Sequence, residues 1–114
     1  MAKYEKTITG QFKQVVNYLQ DDIKRNAITM NLVDESNYSS GDTNIAVRVY
    51  DKYFMRNKSR ASLSLTVVDN GSEIFISAIG AGGGQGILFN FSLGAEDDMV
   101  AVVRRSLEGM KSTY

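Results

Sequence analysis

Two segments of the chain carry apolar residues three or four positions apart, the spacing that gives a helix one apolar side. The first segment predicts a helix from Thr9 or Gly10 to about Asn26, with the Thr9 hydroxyl capping its first turn. Its apolar positions are Phe12, Val15, Val16, Leu19 and Ile23. The second segment predicts a helix that starts at Gly94, and its charges run from acidic to basic, as the helix dipole favours. Its apolar positions are Met99, Val102, Val103, Leu107 and Met110.

Elsewhere apolar and polar residues alternate, which is the pattern of strands with one buried side. The strands predicted from this alternation span residues 2–8, 28–33, 45–55, 61–67, 73–79 and 87–91. The polar segment 34–43 is predicted to be the longest loop. Asn70-Gly71 separates two strands and predicts a hairpin with a type I′ turn, because both central residues of that turn need a positive φ.

The resulting order of elements is a strand, a helix, five strands and a second helix. Short connections predict one α+β domain over residues 1–114, with a mostly antiparallel sheet of five or six strands and both helices on one face. Charged residues within the first strand predict that it lies near an edge of the sheet. We expect the core to contain Phe12, Val15, Val16, Leu19, Ile23, Val47, Val49, Leu63, Leu65, Ile76, Val102, Val103 and Leu107.

Composition limits the chemistry of this domain, because the 114 residues include neither His nor Cys. Nucleophile pairs that use His, zinc sites with the usual ligands and thiol redox chemistry are therefore excluded. The acidic clusters have ordinary structural explanations, such as the helix dipole for Glu96, Asp97 and Asp98. We expect no metal, no cofactor and no catalysis.

Charge and hydropathy also restrict the partners. Lys and Arg together number 13, as do Asp and Glu, so the formal net charge is zero and nucleic acid is a disfavoured partner. No stretch approaches the roughly 18 apolar residues of a membrane span, and no apolar run follows the charges of residues 1–6. We expect a cytoplasmic protein without a membrane partner.

The most unusual local feature is the segment 80–86, in which five of seven residues are glycine. It has two interpretations: a flexible or bulged connection between strands, or a cradle of backbone N–H groups for an anion. Neither the dinucleotide fingerprint nor the P-loop pattern is present. The candidate ligand-binding residues are Gly82, Gly83, Gly84, Gln85 and Gly86.

A second candidate site is the basic and aromatic run from residue 48 to residue 60. If Val47 and Val49 face the helices, alternate residues of this strand lie together on the opposite face of the sheet. That face suits self-association, charge protection of an edge strand, or, less favourably, single-stranded nucleic acid. The candidate interaction residues are Arg48, Tyr50, Lys52 and Arg56.

Several stretches together resemble a small uncharacterised family of Gram-positive bacterial proteins. They are the opening MAKYEKTITG with the helix that follows, the strands AVRVYD and SLT, and SAI leading into GGGQGI. The resemblance covers nearly the whole chain and implies no established activity. The order of elements is also similar to helix-grip folds, which often hold apolar ligands.

Two hypotheses from different classes follow from these features. The first is a non-enzymatic interaction domain that self-associates through a sheet face or an edge strand. The second is a carrier of a small apolar ligand, with its pocket between the sheet and the helices and the glycine segment at its mouth.

Overall fold

The computed structural model describes residues 2–55, 58–82 and 93–110. This part of the chain forms five strands and two helices, which confirms the α+β class. The elements are β1 (Ala2–Ile8), α1 (Phe12–Asn26), β2 (Asn31–Ser40), β3 (Thr43–Phe54), β4 (Ser59–Asp69), β5 (Ile74–Gly82) and α2 (Leu93–Glu108). The additional strand predicted over 87–91 lies outside the described residues.

The five strands form one antiparallel sheet in the order β1-β5-β4-β3-β2. Strands β2 to β5 follow one another as hairpins, and β1 pairs with β5 at the other side of the sheet. Among the described strands β1 therefore lies at an edge, as its charged residues predict. Both helices pack on the same face, which we call the helix side, and the other face is called the open face.

The core lies between the helix side of the sheet and the two helices, and most of the predicted core residues are buried there. Those that are buried are Val15, Val16, Leu19, Ile23, Leu63, Leu65, Ile76, Val103 and Leu107. Phe12 and Val102 are partly buried and pack against this cluster. The regular spacing of apolar residues in α1, β4 and α2 was therefore a reliable guide to the buried side of these elements.

The prediction for Val47 and Val49 was wrong, because both residues lie on the open face and outside the core. Their neighbours in β3 occupy the helix side, where Arg48 pairs with Leu65 and Tyr50 with Leu63. Residues directly opposite in antiparallel strands project to the same face, so the buried leucines of β4 determine which side of β3 faces the helices. Both faces of β3 carry apolar residues, which is why alternation alone was ambiguous.

The predicted loop over 34–43 was also wrong, because most of it belongs to β2. All ten residues of β2 are exposed, so no side of this strand has to be apolar. The strand is held by its backbone pairing with β3, which runs from Asn31 opposite Asp51 to Ser40 opposite Thr43. A polar, charged strand of this kind is typical of a protected sheet edge.

The hairpin predicted at Asn70-Gly71 is confirmed, but the predicted type I′ turn was wrong, because Asn70 does not have a positive φ and the loop has four residues instead of two. Asp69 pairs with Ile74, and the Asn70 side-chain oxygen accepts hydrogen bonds from the backbone N–H groups of Ser72 and Glu73. Gly71 has a φ of +96°. The Asn side chain thus replaces the backbone geometry of a two-residue turn.

Direct side-chain contacts join the two helices. The Tyr18 hydroxyl donates to the Ser106 carbonyl oxygen at 2.8 Å, and the Ser106 hydroxyl donates to the Asp22 carboxylate. Helix α1 begins at Phe12 after the cap residue Gln11, with no side-chain capping hydrogen bond, so the predicted Thr9 cap was wrong. In the described part of the chain, neither helix is both long and apolar enough for a membrane span.

Candidate functional site

The structure places Arg48 and Tyr50 on the helix side of β3, where they are 6% and 5% exposed. Their predicted placement on the face away from the helices was therefore wrong. Lys52 shares the helix side and is partly exposed, with its Nζ atom 4.6 Å from the centre of the Phe54 ring. Arg56 lies outside the described residues.

Arg48 connects three elements of the fold through its guanidinium group. Its Nε atom donates to Gln20 Oε1 of α1 at 3.0 Å and lies 3.7 Å from the Glu35 carboxylate of β2. Its Nη1 atom donates to the backbone carbonyls of Ser36 and Val47, at 3.3 and 3.0 Å. This buried charge is therefore hydrogen-bonded and paired, as burial of an ionic group requires.

The basic run does not form one cationic surface. Arg48 is buried, and the Arg60 guanidinium donates to the Asp51 carboxylate at 3.1 Å. The Arg60 guanidinium also lies 5.7 Å from the centre of the Tyr53 ring. A nucleic-acid surface along this strand requires exposed cations that can contact phosphate groups. Arg48 is buried and Arg60 is paired with Asp51, so neither side chain is available for that contact.

A groove of about 440 Å³ lies between the C-terminal half of α1 and strands β2 and β3. Its volume falls in the usual range of small-molecule sites, roughly 300–1,000 Å³. The residues that line it are Gln20, Asp21, Ile23, Lys24, Ile28, Met30, Asn31, Leu32 and Tyr50. Ile23, Met30 and Tyr50 are buried and form an apolar floor, whereas Ile28 is 78% exposed at the rim.

The Tyr50 side chain brings a polar atom to this apolar floor. No hydrogen-bond partner for its hydroxyl is present among residues 2–55, 58–82 and 93–110. The pKa of Tyr50 is raised, and burial is the largest cause. The positive charge of Arg48 lowers the pKa, and the negative charge of Glu35 raises it by a smaller amount. The phenol therefore stays protonated and able to donate at neutral pH.

The glycine segment is only partly within the described residues. Gly80 and Gly82 belong to β5, and Gly80 is buried against α2. Gly83, Gly84, Gln85 and Gly86 lie outside the described residues, as does the pocket mouth predicted there. At Gly80 the missing side chain permits a close approach of the α2 backbone.

The open face of the sheet is the second notable surface. Its central strand, β4, presents Ser64 and Thr66, which are partly exposed. Large apolar residues flank them on both neighbouring strands, Val47 and Val49 on one side and Phe75 and Ile79 on the other. An antiparallel sheet with one solvated face usually carries polar residues there, so this apolar content is unusual.

The sequence predicted a pocket between the sheet and the helices with the glycine segment at its mouth, but of the residues that line this groove it singled out only Tyr50, because the others come from separate segments of the chain. Ile28 and Leu32 were expected to alternate with polar residues in a half-buried strand, yet both are exposed. The available signal was the surplus of apolar residues between α1 and β2, where Ala27 and Met30 pack on the core and Ile28 does not.

The chain belongs to DUF6054, a family of unknown function, whose family model matches residues 1–111. No curated protein matches the sequence. Among solved structures, the chain is similar to the crystal structure of TTHA0849 from Thermus thermophilus. The two are 10% identical, with a TM-score of 0.39 over 94% of this chain and 93% of that chain, a likeness too low to carry an argument. The family membership confirms the resemblance to an uncharacterised family, while bacterial origin stays a prediction.

Proposed function

We propose that this protein is a non-catalytic binding domain that holds a small molecule in the groove between α1 and strands β2 and β3. The observation that carries the proposal is the Tyr50 hydroxyl, which lines an apolar groove without a hydrogen-bond partner among the described residues. The hydroxyl oxygen is not among the fully buried side-chain atoms that lack a partner, so it meets solvent in the groove, and a ligand acceptor atom can take the place of water on this donor.

The apolar lining indicates the body of the ligand. Ile23 and Met30 form the floor, and Leu32 and Ile28 leave much of their side-chain surface in water. A straight hydrocarbon chain laid along these residues removes that surface from water, worth about 25 cal/mol for each Å² buried.

The charges around Tyr50 indicate the polar end of the ligand. Burial, the largest cause, raises the pKa of Tyr50, but of the two nearby charges Arg48 lowers that pKa by more than Glu35 raises it, so the charged neighbours together favour negative charge near the phenol. Lys24 adds a second cation at the rim, opposed by Asp21. An amphipathic carboxylate, with its acceptor oxygen at the Tyr50 hydroxyl, therefore suits the groove better than an ammonium of the same length.

Calorimetric titration with decanoate tests this assignment. We expect saturable binding to the wild-type protein and binding about three- to tenfold weaker to Tyr50→Phe, because one hydrogen bond is lost. Tyr38→Phe is the matched control, since Tyr38 is an exposed tyrosine of β2 outside the groove. Equal affinities for the wild type and Tyr50→Phe, or tighter binding of decylammonium than of decanoate, contradict the proposal.

A further inference from the structure

The centre of the open face combines apolar and hydroxyl side chains without a charge. The residues that form this centre are Val47, Val49, Ser64, Thr66, Phe75, Ser77 and Ile79, and they come from three adjacent strands. Phe75 and Ile79 are 39% and 40% exposed, although neither is needed for the helix-side core. A contiguous patch of this kind marks an interaction surface.

Charged residues of the open face lie around this centre: Asp34 lies opposite Val49, and the Glu5 carboxylate accepts a hydrogen bond from the Ser77 hydroxyl at 3.0 Å. At β1, Lys3 Nζ lies 3.9 Å from Glu5 Oε1. At the far end of β3, the Arg60 guanidinium bonds to Asp51 beside the exposed ring of Tyr53. An uncharged centre within a polar, charged rim is the usual anatomy of a protein–protein interface.

The size of the face is sufficient for a stable interface. Five strands about 4.8 Å apart, each about 30 Å long, give a face of roughly 700 Å². Two such faces in contact bury roughly 1,400 Å², which lies within the standard range of about 1,200–2,000 Å².

We infer that the partner on this face is a second copy of the same chain. The uncharged centre needs no partner of opposite sign, so it is complementary to itself. The formal net charge of zero also means that two identical copies do not repel each other at long range. Two copies related by a two-fold axis pack their open faces together as aligned sheets, with an isologous interface. The groove lies on the opposite side of the sheet, so this dimer and the ligand site are independent.

Sedimentation equilibrium tests the dimer. We expect the wild-type mass to rise with concentration from 12.6 kDa towards twice that value. The double variant Phe75→Glu/Ile79→Glu places two like charges in each copy of the interface, and we expect its dissociation constant to rise at least about tenfold. Ile28→Glu is the matched control, because Ile28 is an exposed apolar residue at the groove rim and not on the open face.

Cross-linking gives a second readout that does not introduce charge. The chain has no Cys, so Thr66→Cys and Ile28→Cys each create one thiol. We expect a short bismaleimide to link Thr66→Cys into a covalent dimer and to leave Ile28→Cys monomeric. A wild-type mass that stays at 12.6 kDa at millimolar concentration, or equal behaviour of each variant and its control, overturns the inference.

Discussion

A methyl group added at Gly80 would lie 2.8 Å from the backbone carbonyl oxygen of Glu96. The same methyl group would lie 3.0 Å from Val100 Cγ2, so α2 crosses β5 at a distance that only glycine permits. This contact fixes the position of α2 against the sheet, because the helix backbone rests directly on the strand.

Gly80→Ala is therefore expected to destabilise the protein by about 1–3 kcal/mol, the usual cost of overpacking. Alanine normally stabilises a strand relative to glycine, so the sign of the change is informative. Gly109→Ala is the control, because its added methyl group meets its nearest atom at 3.4 Å. Urea unfolding measures both changes, and a Gly80→Ala protein as stable as the wild type contradicts the close approach.

The buried Arg48 predicts a contrast with an exposed arginine. Arg48→Met leaves the Glu35 carboxylate and Gln20 without their cation, and we expect a loss of about 1–3 kcal/mol in the free energy of unfolding. Arg60→Met removes an ion pair whose arginine side chain is 60% exposed, so we expect a loss below about 1 kcal/mol. Chemical unfolding of both variants makes the comparison, and equal losses are inconsistent with the structural role given to Arg48.

Burial of Tyr50 predicts a pH dependence of stability. The pKa of Tyr50 is higher in the folded protein than in the unfolded chain, where it is about 10. The stabilisation that comes from the neutral phenol is therefore fully present at pH values below about 10. That contribution is lost as the pH rises through the higher folded-state value. The wild type is therefore expected to lose stability above about pH 10 more steeply than Tyr50→Phe.

Unfolding curves recorded at several alkaline pH values measure this difference. Tyr38→Phe serves as the control, because it makes the same chemical change at a tyrosine that is exposed and outside the core. Parallel slopes for the wild type and Tyr50→Phe show that the folded state does not disfavour ionisation of this tyrosine.

Strong periodicity made much of the fold predictable. In α1 the buried residues Val15, Leu19 and Ile23 recur at helical spacing, and in β4 Leu63 and Leu65 alternate with serines. In each of these elements one side is buried and the other is not. These elements could be placed because the hydrophobic effect acts on one face only.

The wrong predictions concern strands β2 and β3, which do not have one apolar side and one polar side. In β2 both sides are exposed, and the better signal was the Gly41-Asp42 turn, where Gly41 has a φ of +58°. In β3 both sides carry apolar residues, so the burial of Arg48 depends on partners in α1 and β2 that are distant in sequence. Most residues that line the groove were not predicted for the same reason, because long-range packing assembles them from separate segments.

Ligand-induced NMR shift changes test the central claim most directly. In ¹H–¹⁵N spectra recorded during a decanoate titration, we expect saturable shifts of Lys24, Met30, Leu32 and Tyr50, which line the groove. Val49 and Ile79, which lie on the open face, should stay unmoved. Shifts confined to the open face, or no saturable shifts at millimolar decanoate, contradict a ligand site at Tyr50.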